Sequence, residues 1–263
     1  MLFRLILLIL VMLPGWAVAK ECTKLSASGN AEYPPYLWRV STDSQQMQGA
    51  IALLMEYVSQ QLGKTIDLRY VGSWGRVQEE VAEGEIDLIA GAFYTEKRSY
   101  RMNYIRPAFQ QTRTAVWVRK DQPFVFNQWS DLQNRAGVTV INNSFGQQFD
   151  DYARQNLDIY EAVRLSQGLQ MLIAGRVDYF VYEENPARAY AAELELLHHI
   201  RPMEQALSSE DLYLTISRKS SCNTEQLRQR LADIMQQANE QGLMQQYLQR
   251  SVEQWRQRSK QQG

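Results

Sequence analysis

The sequence predicts an α/β chain folded as two similar lobes joined by a hinge of two chain segments. Three observations predict it. Strand and helix patterns alternate from residue 25 onward, as they do around a largely parallel sheet. A short signature occurs twice, at the same point of two such series. Gly84, Ile86 and Asp87 precede one apolar strand, and Gly175, Val177 and Asp178 precede another. Two segments near 108–114 and 206–212 connect the series, and a hinge of two crossing segments permits closure around a ligand.

In chain order, residues 1–19 read as an export signal. Arg4 gives the positive start, 5–13 the apolar run, and Ala17 to Ala19 a small-residue cleavage site before Lys20. The apolar run is too short to span about 30 Å of hydrocarbon. The charges of Lys20 and Glu21 argue against a lipid-modified Cys22. Removing the segment takes away one positive charge and moves the formal net charge from −1 to −2. That balance gives no electrostatic reason to expect nucleic acid. The mature chain of about 240 residues suffices for one large or two small domains. It carries two cysteines, Cys22 and Cys222, for which a disulfide is the expected state in an exported protein and two independent thiols the alternative. The bridge would put both ends of the chain in one lobe.

A strand is expected at 25–28, then a rigid loop in which Pro34 and Pro35 sit between Tyr33, Tyr36 and Trp38. Ile51, Leu54, Met55, Val58 and Leu62 mark a helix that Gly63 closes. A strand at 66–71 follows, then a loop holding Trp74 between Gly72 and Gly75, then a short helix on Val77 and Val81. After the strand behind Asp87, Thr95 opens a new helix with Arg98 in its first turn. Unpaired N–H groups and a guanidinium there suit an anion.

The strand at 112–119 has no helix of its own. A strand at 138–141, a polar turn of Asn142, Asn143 and Ser144, a helix at 146–155 and a strand at 160–163 open the second series. Leu169, Leu172 and Ile173 mark the helix before Gly175. Asn185 and Pro186 read as a helix start, and a strand is expected at 211–217. Asn223 is expected to cap the last helical region, whose stripe is Leu227, Leu231, Ile234, Met235 and Ala238, continued by Leu243, Tyr247 and Leu248.

In this order and spacing, Tyr33 to Tyr36, the Gly84 and Gly175 signatures, Thr95 to Arg98, and Pro107 to Phe109 resemble the bacterial family 3 solute-binding proteins. These are periplasmic receptors of polar amino-acid ABC transporters, with the type II periplasmic binding protein fold. The resemblance covers nearly all of the mature chain. It implies a signal peptide at 1–19, one lobe from 20–110 and 209–263, and a second from 111–208. It also implies a monomer without cofactor or metal, handing a small amino-acid-like solute to a membrane permease.

By the same resemblance Arg98 holds the ligand carboxylate, with Thr95 in its segment. Tyr33 and Trp74 stack around the ligand, Ser144 contributes a hydroxyl, and Glu183 takes the amine. Two departures stand out. Phe93 replaces the Thr or Ser hydroxyl five residues before the arginine, and Glu183 replaces an Asp, with Glu184 beside it as the other candidate. An aromatic-rich cleft is therefore expected, with Tyr94 as a further wall. Two other roles are compatible with this pattern: a receptor that signals through a membrane sensor, and a dehydratase-like enzyme. His198 and His199, the only histidines, are adjacent and poorly arranged for a triad or metal cage.

Overall fold

The computed structural model describes residues 22–262, so the export signal expected over 1–19 lies outside it. The first series runs β1 (Lys24–Ser28), β2 (Glu32–Tyr33), β3 (Leu37–Arg39), β4 (Met47–Gln48), α1 (Ala50–Leu62), β5 (Thr65–Leu68), α2 (Trp74–Glu83) and β6 (Leu88–Phe93). It continues through α3 (Glu96–Ser99) and β7 (Met102–Tyr104) into the long β8 (Gln110–Arg119). The second series runs β9 (Ala136–Val140), α4 (Gln147–Asn156), β10 (Asp158–Ala162), α5 (Leu165–Ile173), β11 (Tyr179–Glu183) and α6 (Glu184–Glu193). The chain returns through β12 (Ile200–Ser217) and ends in α7 (Glu225–Glu240) and α8 (Leu243–Gln262).

Nine strands form the main sheet in the order β10, β9, β11, β8, β12, β6, β1, β5, with β7 also on β12, and β2, β3 and β4 form a small separate sheet. Each series contributes a parallel set: β6, β1 and β5 at one end, β11, β9 and β10 at the other. The antiparallel pair β8 and β12 joins them, with Gln110 opposite Leu212 and Thr114 opposite Ser208. The two connecting segments expected at 108–114 and 206–212 therefore lie side by side.

The repeated signature has a structural cause. Asp87 accepts hydrogen bonds from the Ser26 N–H and hydroxyl, both 2.8 Å, at β1. Asp178 accepts the Ala136 N–H, 2.9 Å, at the start of β9. Each Asp thus satisfies a backbone donor on the neighbouring parallel strand. The preceding glycine lets the chain turn from helix to strand, with Gly84 at φ 83° and Gly175 at φ 69°.

Several local expectations shift. Trp74 is not in a loop but opens α2, because the Ser73 side chain accepts from the Arg76 N–H and caps the helix. α6 begins at Glu184, directly after β11, so Pro186 lies inside its first turn, where its missing N–H costs nothing. Thr224, not Asn223, caps α7. The Asn223 amide is spent on Asn103 and the Ser217 carbonyl. β12 begins eleven residues before the expected strand start at 211. Register shifts near Pro202 and Ala206 accommodate its irregular part.

A disulfide joins Cys22 to Cys222, with Cα atoms 5.5 Å apart. Among the described residues no helix is long and apolar enough to cross a membrane.

Candidate functional site

The expected residues come from six places in the chain and meet in one cleft between the two series. Tyr33 ends β2, Trp74 opens α2, Phe93 ends β6, and Arg98 sits in α3. From the other side come Ser144, after β9, and Glu183, the last residue of β11. Together with Asn30, Leu37, Ile51, Gly91, Asn143 and Leu212 they line a cavity of about 30 Å³. That is room for roughly two or three waters.

A bulge shapes the floor. Tyr213 pairs with Ala92 and Leu214 with Ala90, so Gly91 is an extra residue in β6. Its φ of 111° suits only glycine, and a Cβ there would lie 3.2 Å from Ile51. The bulge re-aims the end of β6, which carries Phe93 into the cavity wall.

Arg98 is 8 % exposed. Its Nε donates to Gln78 Oε1 at 3.1 Å, one Nη to the Phe93 carbonyl at 3.2 Å, and the other to the Asn142 carbonyl at 3.3 Å. All three acceptors are neutral, and no described carboxylate forms an ion pair with it. The pairing with Glu96 that would make it an ordinary surface arginine does not occur. Its guanidinium lies 5.3 Å from the centre of the Trp74 ring. Burial lowers its pKa, while Tyr104, Asp150 and Glu183 raise it. It stays charged, which leaves a buried cation without a counter-ion.

Glu183 is 5 % exposed. The Tyr33 hydroxyl donates to one of its oxygens at 3.4 Å, and the other oxygen has no partner. Burial pushes its carboxyl up to about 7, against the opposing pull of its own backbone N–H, Tyr33 and Arg98. Burial and Glu183 itself keep the Tyr33 phenol protonated, so it remains a donor. Glu184 points elsewhere, paired with Arg113 and with Arg188. The cavity therefore offers an uncompensated cation from one series and an unpaired carboxyl oxygen from the other. That arrangement is chemically complementary to a zwitterion.

Other expected residues take different parts. Thr95 is buried, and its hydroxyl accepts the Arg98 N–H, so it orders the arginine's own turn. The α3 helix is a single turn. Ser144 donates to Asp150 and accepts from the Gly146 N–H, which fixes the second-series loop. Tyr94 is 42 % exposed and packs on Tyr104 outside the cavity. Asn142 adopts left-handed backbone, φ 64°. That conformation accompanies the Asn142 carbonyl contact with Arg98 and Gln78.

Asn30 and Gln78 were not singled out by sequence. A signal existed for Gln78, which follows Trp74 by one helical turn and shares its face of α2.

A profile of the bacterial extracellular solute-binding proteins, family 3, matches residues 25–254. No curated protein matches by sequence. Solved structures do match. An amino acid ABC transporter substrate-binding protein from Streptococcus pneumoniae, bound to L-arginine, shares 17 % identity at a TM-score of 0.72, covering 89 % of this chain and 96 % of its own. A binding component of an ABC transporter from Wolinella succinogenes, complexed with lysine, shares 16 % identity at 0.72, covering 87 % and 95 %. A histidine kinase sensor domain with similarity to periplasmic binding proteins shares 18 % at 0.70, covering 85 % and 93 %. By the match over residues 25–254, the chain belongs to the bacterial extracellular solute-binding proteins, family 3.

Proposed function

We propose that the protein is an exported periplasmic receptor that captures a small amino-acid-like solute and delivers it to an ABC-transporter permease. In this reading the signal is removed after Ala19. Residues 20–110 with 209–263 form one lobe, 111–208 form the other, and the ligand is held between them. The observation that carries the reading is that Arg98 and Glu183, unpaired with each other, line a single cavity. A guanidinium without a carboxylate partner binds the ligand's carboxylate as a bidentate fork. The unpaired Glu183 oxygen accepts from its ammonium group. The solved relatives with bound arginine or lysine support a zwitterionic ligand.

Binding is proposed instead of turnover. The family and the two ABC-transporter components named above are binding proteins, and His198 and His199 line a separate cavity with Arg119 and Lys120.

Binding to the native state raises the melting temperature, by about 2.7 kcal/mol of stabilisation at a hundredfold excess over Kd. The mature protein is expected to gain thermal stability with at least one member of an amino-acid panel, and Arg98→Ala to lose that gain. An Arg98→Ala protein that binds as well as its parent overturns the assignment.

The likeness to a histidine kinase sensor domain favours one alternative, delivery of the closed form to a membrane sensor. Solute uptake separates the two. Deleting a transport receptor abolishes uptake of its ligand, whereas deleting a sensor's receptor leaves the transporter working and removes the response.

A further inference from the structure

Beside the inner cavity lies a second one of about 280 Å³, lined by Gln78, Glu79, Thr95, Lys97, Arg98, Arg101, Gln147 and Arg154 among others. Arg98, Asn143 and Ser144 form walls of both. Four of its lining side chains are cationic, Lys97, Arg98, Arg101 and Arg154, and two are acidic, Glu79 and Asp150.

The acids are already committed. Glu79 holds Arg101 at 3.3 Å, and Asp150 accepts the Ser144 hydroxyl and the Phe145 N–H in its own loop. Arg154 is paired with Asp151, outside the cavity. Two positive charges remain without a counter-ion among the described residues. One is Lys97, exposed at the rim, and the other is the buried Arg98. With Arg98 given to the ligand's own carboxylate, the surplus is still positive by the one charge of Lys97, and it adjoins the space proposed for a ligand.

Room supplies the second constraint. The inner cavity of about 30 Å³ suits a compact head bearing one carboxylate and one ammonium, with apolar walls at Phe93, Leu37 and Ile51. A longer substituent needs the adjoining volume, where it meets Lys97, Arg101 and Arg154. A cationic substituent would be repelled there. An oxyanion would find a charge it can pair with.

We propose that this outer cavity is a second recognition pocket, for an oxyanion carried on the ligand's substituent, so that the preferred solute is an acidic amino acid or a phosphoryl-bearing analogue. The proposal rests on the zwitterion reading of the inner cavity. It assigns a specificity to Lys97 and Arg154, which that reading leaves unused. Because both side chains are exposed, their replacement spares the core.

The test is a binding comparison on the mature protein, by thermal shift and then calorimetry, with L-alanine, L-lysine, L-glutamate and O-phospho-L-serine as probes. L-glutamate or O-phospho-L-serine is expected to bind tighter than L-alanine and L-lysine, and the stronger of the two identifies carboxylate or phosphoryl as the favoured oxyanion. The double variant Lys97→Gln/Arg154→Gln is expected to weaken the acidic probe about fivefold more than it weakens L-alanine. Raised salt should narrow the same gap. L-lysine or L-alanine binding as tightly as the acidic probes overturns the proposal. So does a gap that survives the double variant. If L-alanine or L-lysine binds in an Arg98-dependent way without any acidic preference, only the outer pocket fails. If none of the four probes binds, the outer pocket fails, and the inner reading falls with it when the wider amino-acid panel gives no Arg98-dependent gain either.

Discussion

Burial holds the Glu183 carboxyl at about 7, against 4.5 for the ordinary side chain. Between those values the folded protein binds a proton that the unfolded chain has released, so raising the pH lowers folding stability. This contribution is fully present below about pH 4.5 and is lost as the pH rises through 7, at about 3 kcal/mol or less. Ligand binding runs the other way, since only the ionised carboxylate pairs with an ammonium group. Thermal melts from pH 5 to 8 should therefore show the free protein losing stability with pH while the ligand-induced gain grows. Glu210 has a carboxyl raised to about 7 by burial and by Asp150 and Asp211, and it adds a slope of the same sign to the free protein, smaller because solvent screens this half-buried group. Glu183→Gln separates them. It should flatten part of the stability slope and remove the pH dependence of the ligand effect, whereas Glu210→Gln should change only the stability slope. A ligand effect that stays pH-dependent in Glu183→Gln would show that Glu183 does not hold the amine.

Among the elements, α8 does more than its sequence stripe announces. Leu243, Tyr247 and Leu248 follow helical spacing, and they pack against the core. The anchor, however, is Trp255, 4 % exposed. Its ring meets Trp38 of β3 edge-on at 5.4 Å and Tyr190 of α6 at 5.4 Å, and its indole N–H donates to the Ala189 carbonyl at 3.3 Å. One side chain thus ties the small β2–β3–β4 sheet to the second series. Trp255→Ala is expected to cost about 3–5 kcal/mol in urea unfolding, with Trp255→Phe recovering most of it. A loss below about 1 kcal/mol would mean that α8 is only loosely attached. The contrast with α7 shows what sequence could reveal. Leu227, Leu231, Ile234, Met235 and Ala238 repeat at helical spacing, and all five are buried. The Trp255 contacts depend on α6 arriving from elsewhere, which no local period encodes. β12 behaves similarly, because Pro202, Glu204 and Gln205 carry no strand pattern: β8 pairs on either side of the bulge that holds Glu204 and Gln205, and Arg113 of β8 donates to the Glu204 carbonyl. At the site, Arg98 stood out in the sequence because it falls in the helix turn that Thr95 opens, and Glu183 because it follows the second Gly-x-x-Asp signature by five residues. The amides Asn30 and Gln78 were not, since a neutral polar residue at a helix face or strand end has many ordinary uses.

For the molecule as a whole, the receptor reading proposed above predicts closure of the two halves around the solute. Contacts cross the cleft on both sides. Gln78 and Arg98 reach the Asn142 carbonyl, the Glu96 N–H reaches Gln147 at 3.1 Å, and Asn185 reaches the Tyr36 hydroxyl at 2.9 Å. On that reading, a cavity of about 30 Å³ behind such contacts would admit a solute when the halves part and close again, with the paired β8–β12 segments as the proposed hinge. Gly75 tests this directly. It lies in the first turn of α2 against the opposite loop, and a Cβ there would come within 2.5 Å of Asn142 Nδ2 and 3.2 Å of its Cγ. An alanine could be met by a small turn of that amide. Gly75→Leu cannot, and within α2 itself leucine is the better helix former by somewhat under 1 kcal/mol. The substitution should therefore leave α2 intact and act as a wedge between the halves. Small-angle scattering is expected to give a larger radius of gyration for Gly75→Leu than for the parent. Ligand should no longer contract it, and affinity should fall by about tenfold or more, as the closed state loses on the order of 1.4 kcal/mol. If the variant instead closes and binds like the parent, the halves do not need the Gly75–Asn142 approach in the bound state.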